Sequence, residues 1–233
     1  MDQKLTIVEH LEELRSRVVK SVIFIAVASC LAYSLVDVIL ASLVKPVGKL
    51  VFTAPHEAFV ARVKISFFCG IFLSSPFLIY EIWKFVFSGL RPAERKYIII
   101  FGPLSLLFFF LGALFGYFIV IPIGVKFLLN FATDVITPMI TIDRYITFVG
   151  VFTLCFGAIF ELPLVSIFLT KIGLISPEFL SSKRRHAVVI IFILAAILTP
   201  PDVITQFLMA LPLLVLYEIS IIFSKFVYRK ERK

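Results

Sequence analysis

Long apolar runs alternate with short polar segments along the chain. Because an α-helix rises about 1.5 Å per residue, about 20 apolar residues are needed to cross a hydrocarbon core of about 30 Å. The runs predict six membrane-spanning helices at about 18–36, 65–87, 97–125, 146–170, 187–198 and 203–217. They form a transmembrane domain at 18–223, between an amphipathic segment at 1–17 and a basic tail at 224–233. The pattern therefore predicts an all-α polytopic membrane protein, folded as a concave bundle.

The last two apolar runs are shorter than the others. With 12 and 15 residues they would reach only about 18 and 23 Å as helices, less than the thickness of the hydrocarbon core. They form either two short spans or a re-entrant hairpin. Both arrangements return the chain to the side that it left, so the orientation of the remaining segments is unaffected.

The segment before the first span reads as an amphipathic helix. Four apolar residues repeat with helical spacing, namely Ile7, Leu11, Leu14 and Val18. Thr6 and Glu9 fit a capping box, so we expect the helix to start at Thr6. Three carboxylates lie close to the membrane, those of Glu9, Glu12 and Glu13. The segment either anchors the first span at the interface or forms a docking surface for a cationic peptide.

One acidic residue, Glu161, interrupts the fourth span. Pro163 follows it and removes a helical hydrogen bond to the carbonyl of Ile159, so we expect a helix break beside the carboxylate. An acid inside a membrane costs about 2.5–3.5 kcal/mol on insertion scales and is usually tied to function. Glu161 therefore has two interpretations. It is either a functional group that faces a cavity or a partner, or a buried neutral acid that hydrogen-bonds to the backbone carbonyl left without a helical donor by Pro163.

Composition and charge fix the class and the orientation. The chain is 61% hydrophobic, with a mean hydropathy of +1.06, which excludes a soluble domain of this size. Of 23 Lys and Arg residues, 17 fall in the N-terminal region, the 84–96 and 171–186 loops and the tail. The positive-inside rule therefore places both termini in the cytoplasm. The basic residues that set this orientation also account for the net charge of +8, so the charge does not indicate nucleic-acid binding, and we expect no nucleic-acid partner.

The sequence offers little catalytic or metal-binding chemistry. The three cysteines fall inside predicted spans without ligand spacing, and the three histidines lie far apart, so we expect no metal, no cofactor and no enzymatic activity. We also expect no cleaved signal peptide, because acidic residues precede the first apolar run. A proton-coupled transporter or channel using Glu161 is the alternative function. Against it, a relay usually needs several titratable groups at depth.

Five short motifs follow one another along nearly the whole chain. They are His10 to Arg17 before the first span, Tyr80, Trp83 and Phe85 at the end of the second, Glu94-Arg95, Phe160 to Pro163, and Leu198 to Asp202 with Gln206. With this order and this hydropathy frame, the chain resembles the TatC family, the multispanning receptors of the twin-arginine protein translocase.

The resemblance implies a function and partners. Members of the family recognise signal peptides that bear two adjacent arginines on folded cargo, and export is driven by the proton gradient. They assemble with small single-span subunits of the TatA and TatB type and self-associate in a larger complex. The chain is then a multi-pass protein of the cytoplasmic (inner) membrane, in contact with membrane lipid, with both termini cytoplasmic.

The resemblance also assigns residues. Signal-peptide binding on the cytoplasmic face maps to Glu9, Glu13, Arg15, Phe85 and Glu94. Glu161 with Pro163 is the functional intramembrane pair, and Pro46 matches an outer-loop proline. The chemistry of these residues agrees with the role that the resemblance assigns to them, because an arginine pair needs carboxylates that bind guanidinium groups bidentately. Phe85, near Glu94, would support an apolar part of the peptide. Three polar residues near the outer face would meet a partner helix: Thr199, Asp202 and Gln206.

Overall fold

The structure, a computed structural model, describes residues 7–92, 94–130, 139–199 and 203–231. Nine α-helices lie within these ranges: α1 (Ile7–Tyr33), α2 (Val36–Val44), α3 (Glu57–Gly89), α4 (Ile98–Phe115), α5 (Ile121–Leu129), α6 (Ile142–Lys171), α7 (Pro177–Ser182), α8 (Arg184–Leu198) and α9 (Val203–Glu231). A π-helical turn at Gly116–Val120 joins α4 to α5 just before Pro122.

The membrane-spanning character of the helices agrees with the predicted class. Among the described residues, five helical segments are long and apolar enough to cross a membrane: Val8–Tyr33, Glu57–Gly89, Arg95–Leu129, Ile142–Lys171 and Val203–Tyr228. Helix α8 has 15 residues and would reach only about 22 Å, so the fifth span is short, as predicted. The fold is all-α, which confirms the predicted class.

Two helices extend beyond the predicted spans. No break separates residues 7–17 from the first span, because α1 continues through both. The sixth span was predicted to end at Tyr217, but α9 continues to Glu231. Glu218, the residue after that predicted end, pairs with Arg184 at 2.7 Å. The residues that follow it are again largely apolar, so the helix extends beyond the 15 residues that were predicted.

The expected helix break at Pro163 is also wrong. Helix α6 continues through Pro163 for a total of 30 residues, and Pro76 and Pro212 likewise lie inside helices. Each proline removes one backbone hydrogen bond, while neighbouring turns keep theirs. In membrane helices, local adjustment and neighbouring groups compensate for the lost bond, so a single proline need not end a long apolar helix.

The chain divides into two compact units, the first formed by Met1–Leu106 with Ile140–Thr147. In this unit α1 packs along α3. A Cβ added to Gly70 of α3 would lie only 2.1 Å from Ser29 Oγ of α1, so glycine is required for this close approach. Contact between α1 and α3 brings the N-terminal end of α1 beside the C-terminal end of α3, where the candidate site lies.

At the other end of the first unit, the segment after α2 is tied to the start of α6. Val51 forms an isolated parallel bridge with Thr141, in which Val51 N donates to Ile140 O at 3.0 Å and Ile142 N donates to Val51 O at 2.9 Å. Lys64 Nζ of α3 adds an ion pair with Asp143 Oδ1 at 2.6 Å. The segment at 37–64 contains one short helix, α2, and the first turns of α3.

The second unit comprises Leu107–Met139 with Phe148–Lys233. Gly112 and Gly116 form a GxxxG pair at a close helix contact, since a Cβ on Gly112 would meet Phe156 O at 2.4 Å and one on Gly116 would meet Phe156 Cβ at 2.9 Å. Helix α6 ends at Lys171, and Gly173, two residues further on, has a φ of 76° in the left-handed region that favours glycine. Helices α8 and α9 pack as a pair.

Candidate functional site

An ion cluster joins α1 to α3 at the N-terminal end of α1. The Arg17 guanidinium donates from Nε to Glu13 Oε1 at 3.0 Å and from Nη1 to Glu81 Oε2 at 2.6 Å, and its Nη2 also contacts Glu13 Oε1. The Arg17 side chain is 12% exposed and that of Glu81 is 8% exposed. A guanidinium is therefore held between two carboxylates that come from different helices.

Helical spacing and helix packing together form this cluster. Glu13 and Arg17 lie four residues apart on α1, so their side chains meet on one face of that helix. Glu81 lies on the buried face of α3, 64 residues further along the chain. Buried charges persist when they are paired and hydrogen-bonded, which the arrangement around Arg17 provides.

An aromatic contact borders the ion cluster. The His10 ring stacks on the Phe85 ring with centroids 4.3 Å apart and an interplanar angle of 16°. His10 Nδ1 also lies 3.7 Å from Glu13 Oε2. His10 thus connects Phe85 with Glu13, two residues that the sequence assigns to the same function. The resulting site offers a carboxylate beside a flat apolar surface.

The Glu13 carboxylate, which precedes the predicted first span, remains ionised near neutral pH. Burial by itself would raise its pKa, but hydrogen bonds from the Arg17 and Ser88 side chains and the charges of Arg17 and His10 outweigh that effect, so the pKa of Glu13 is lowered from its ordinary value. A charged carboxylate is the form that accepts hydrogen bonds from a guanidinium.

Glu94 lies on the loop after α3, apart from the cluster. In the described part of the chain, its carboxylate bonds to the backbone N–H of Arg91, with Oε2 at 3.1 Å, and makes no ion pair. The nearby Arg95 guanidinium packs over the Phe87 ring at 4.7 Å from its centroid. Phe85, the aromatic residue assigned to the same binding surface, stacks on His10.

The other predicted binding residues lie along the outer surface of α1. The side chains of Glu9, Glu12 and Arg15 are exposed, whereas Glu13 is half-buried. Helix α1 thus carries one inward-facing acid and two outward-facing acids at this end. An approaching cation would meet the exposed acids first and the paired Glu13 afterwards.

The intramembrane acid lies on α6 in the second unit. Glu161 is half-buried and its Oε1 atom is shielded from solvent, while Pro163 and Leu164 are buried. One turn earlier, Gly157 faces Phe109, and a Cβ there would lie 2.8 Å from the ring. The carboxylate therefore belongs to a stretch of α6 that packs closely against α4.

The predicted outer-face residues have different surroundings. Pro46 lies in an exposed turn after α2. Thr199 is buried, and its hydroxyl donates to Ala195 O at 2.8 Å. Gln206 Nε2 donates to Phe192 O at 3.0 Å, which ties α9 to α8. Asp202 lies outside the described residues. The polar groups of Thr199 and Gln206 thus form hydrogen bonds within the second unit.

Sequence reasoning did not assign three residues of the cluster to the site: His10, Arg17 and Glu81. Glu81 gave a usable signal, since it is an acid inside the predicted second span, where ionisable residues are rare and usually functional. Its partner was not predictable, because Arg17 lies 64 residues away in sequence.

Comparisons with known proteins agree on one family. The family model described as Sec-independent protein translocase protein (TatC) matches residues 9–212. The TatC protein of Carboxydothermus hydrogenoformans is 48% identical over 235 residues, covering 99% of this chain and 97% of that protein. The TatC protein of Aquifex aeolicus is 40% identical and covers 97% of each chain.

A solved structure shows the same fold. The crystal structure of a twin arginine translocase receptor, TatC, superposes with a TM-score of 0.87 at 40% identity, covering 94% of this chain and 99% of that one. The names of these relatives do not favour the alternative of a proton-coupled transporter or channel. The long apolar helices, the short fifth span and the similarity along nearly the whole length lead to one conclusion: this chain belongs to the TatC family.

Proposed function

We propose that this protein is the signal-peptide receptor of a twin-arginine translocase and a core component of the machinery that exports folded proteins, driven by the proton gradient. The observation that carries the proposal is the match, over nearly the full length of both chains, to a solved twin arginine translocase receptor. The relatives are named translocase proteins, and the proposed role is binding and transport rather than catalysis.

We assign recognition of the arginine pair to Glu9, Glu13, Arg15, Phe85 and Glu94. The geometry at Glu13 supports this assignment, because its Oε1 atom already accepts hydrogen bonds from two nitrogens of the Arg17 guanidinium. Charge-assisted contacts of this kind are the strong and geometrically specific ones. The Phe85 ring, stacked on His10, offers an apolar surface for residues that flank the pair.

The protein is a multi-pass membrane protein, and we place it in the cytoplasmic membrane with both termini inside. The excess of Lys and Arg in the terminal segments and the 84–96 and 171–186 loops supports this orientation. An even number of spans also places the two ends on the same side. The recognition residues of α1 and the loop after α3 then face the cytoplasm, where the cargo folds.

We propose that small single-span subunits of the TatA and TatB type assemble with this protein, and that it self-associates in the larger complex. A membrane acid such as Glu161 favours a polar partner or a water-filled cavity over acyl chains. Glu161, with Pro163 beside it, is our candidate for that contact, and Thr199, Asp202 and Gln206 with Pro46 are our candidates on the outer face.

Peptide binding to the purified protein tests the proposal. A labelled signal peptide with two arginines should bind, and the same peptide with two lysines should bind more weakly, because lysine keeps the charge but cannot form bidentate contacts. Glu94→Lys should abolish binding, Glu94→Gln should weaken it, and added salt should weaken binding of the wild type, since exposed charges are screened over about 8 Å at physiological ionic strength.

The matched control is Glu178→Lys, which makes the same charge change on α7, where Glu178 is exposed. This variant should bind the peptide as the wild type does. Equal affinity of the wild type for the arginine and lysine peptides would refute the proposed recognition. Unchanged affinity of the Glu94→Lys variant would leave Glu94 as a solvated loop charge.

A further inference from the structure

The candidate site already contains a guanidinium that belongs to the protein. Arg17 is nearly buried and bonds to Glu13 through Nε at 3.0 Å and to Glu81 through Nη1 at 2.6 Å. The two carboxylates lie on α1 and α3, and neither helix alone provides both. With two carboxylates and one guanidinium, the cluster is net negative and has the capacity to accept one more cation.

A peptide arginine that binds Glu13 must compete with Arg17. The Oε1 atom of Glu13 is used by Arg17, and the Oε2 atom is shielded from solvent and lies 3.7 Å from His10 Nδ1. Because Oε1 already accepts from two Arg17 nitrogens, Glu13 can bind an external guanidinium through both of its oxygens only if Arg17 gives up part of its contact. A buried charge that loses its partner is strongly unfavourable, so Arg17 needs a second counterion at that moment.

We propose that Glu81 is a positioning residue for signal-peptide recognition, the second counterion that retains Arg17 when Glu13 turns to the arriving arginine. Glu81 does not touch the peptide in this arrangement. Its carboxylate is 8% exposed and already bonds to a different nitrogen of Arg17 from those that Glu13 uses, so the two bonds are separable. This inference rests on the proposed function for its peptide part and on the geometry of α1 and α3 for the rest.

The proposal fixes the direction of three substitutions. Glu81→Gln keeps the size of the side chain but removes its charge, which leaves Glu13 as the sole carboxylate for Arg17. Peptide affinity should then fall by about tenfold or more, the usual scale when one partner of a buried charge pair is removed. Arg17→Gln combined with Glu81→Gln removes both charges and frees Glu13, so affinity should return to within about threefold of the wild type, because the buried charge that needed a partner is gone. Glu178→Gln is the matched control and should leave peptide affinity unchanged.

A stability measurement separates this inference from the proposed function, because it needs no peptide. If either carboxylate alone holds Arg17, Glu13→Gln and Glu81→Gln should each lower the unfolding midpoint slightly, and the double variant should lose far more than the sum. Adding Arg17→Gln to the double variant should recover most of that loss, since no buried charge then remains. A structural role in packing alone would not produce this recovery.

The outcomes are distinguishable. Additive effects of Glu13→Gln and Glu81→Gln, or unchanged peptide affinity in Glu81→Gln, would overturn the role of Glu81. A wild-type protein that ignores the peptide but shows the non-additive cycle would refute the proposed function and leave Glu81 as the second counterion of Arg17. If Glu81→Gln fails to fold, the Arg17→Gln/Glu81→Gln pair is measured in its place, and failure of that pair to fold or to bind would overturn the proposal.

Discussion

Replacing Gly112 by alanine tests the close packing of α4 against α6 that surrounds the intramembrane acid. The added Cβ would lie 2.4 Å from Phe156 O and 2.7 Å from Phe160 Cβ. An ordinary contact needs about 3.4 Å or more, so the helices would have to separate by roughly 1 Å. Phe156 is fully buried and its contacting atom is a backbone oxygen, so rotation of a side chain cannot relieve the clash.

Gly124 of α5 provides the reference for the magnitude. A Cβ on Gly124 meets nothing within 4 Å and no proline follows it, so Gly124→Ala gains only the better helix propensity of alanine, up to about 1 kcal/mol. Gly112→Ala gains the same propensity but adds an overpacking cost of about 1–3 kcal/mol. Because propensity cancels between the two variants, their difference in unfolding free energy isolates overpacking, at about 1–3 kcal/mol.

Thermal unfolding of both variants in the same detergent measures this difference. For a chain of this length, 1 kcal/mol corresponds to about 2–4 °C in Tm, so Gly112→Ala should melt about 2–12 °C below Gly124→Ala. A Gly112→Ala variant that is as stable as Gly124→Ala, or more stable, would contradict the close approach of α4 and α6.

Three further predictions concern topology, the membrane acid and the partner surface. A cysteine at Lys183 should be labelled only from the cytoplasmic side and one at Lys49 only from outside, and labelling of both from one side would contradict the six-span orientation. Glu161→Ala should leave peptide binding intact but abolish most export, whereas Glu161→Gln should retain much of it because the amide still forms hydrogen bonds; undiminished export by the Ala variant would reduce Glu161 to a tolerated buried acid. A photo-crosslinker at Gln206 should reach a small single-span subunit, and crosslinks confined to α1 would refute that surface.

Much of the fold was predictable, because hydropathy sets helix positions in a membrane protein. The apolar runs predict the long helices and the short α8, since the bilayer fixes the number of residues that a span requires. The ends are less predictable. Glu218 reads as the end of a span because the sequence does not show that Arg184, 34 residues away, supplies its partner. Likewise, Pro163 reads as a break, although α6 tolerates it.

The site was predictable in part, for a different reason. Glu13 is assigned from its motif, and its pairing with Arg17 follows from helical spacing. The contribution of Glu81 depends on how α1 packs along α3, which a single sequence does not specify. The stacking of His10 on Phe85 depends on the same packing. Local spacing therefore predicts pairs within one helix, whereas pairs between helices require the structure.

Photo-crosslinking from the signal peptide tests the central claim most directly, namely that the arginine pair binds where α1 and the end of α3 meet. A photoreactive residue placed beside the arginine pair of the peptide would be activated by light while the peptide is bound to the wild-type protein. The crosslinked segment of the protein would then be identified by mass spectrometry. We predict crosslinks to residues 7–17 and 85–95, which are lost when the two arginines are replaced by lysines. Crosslinks that map to the 37–64 segment, or that persist unchanged with the lysine peptide, would contradict the account.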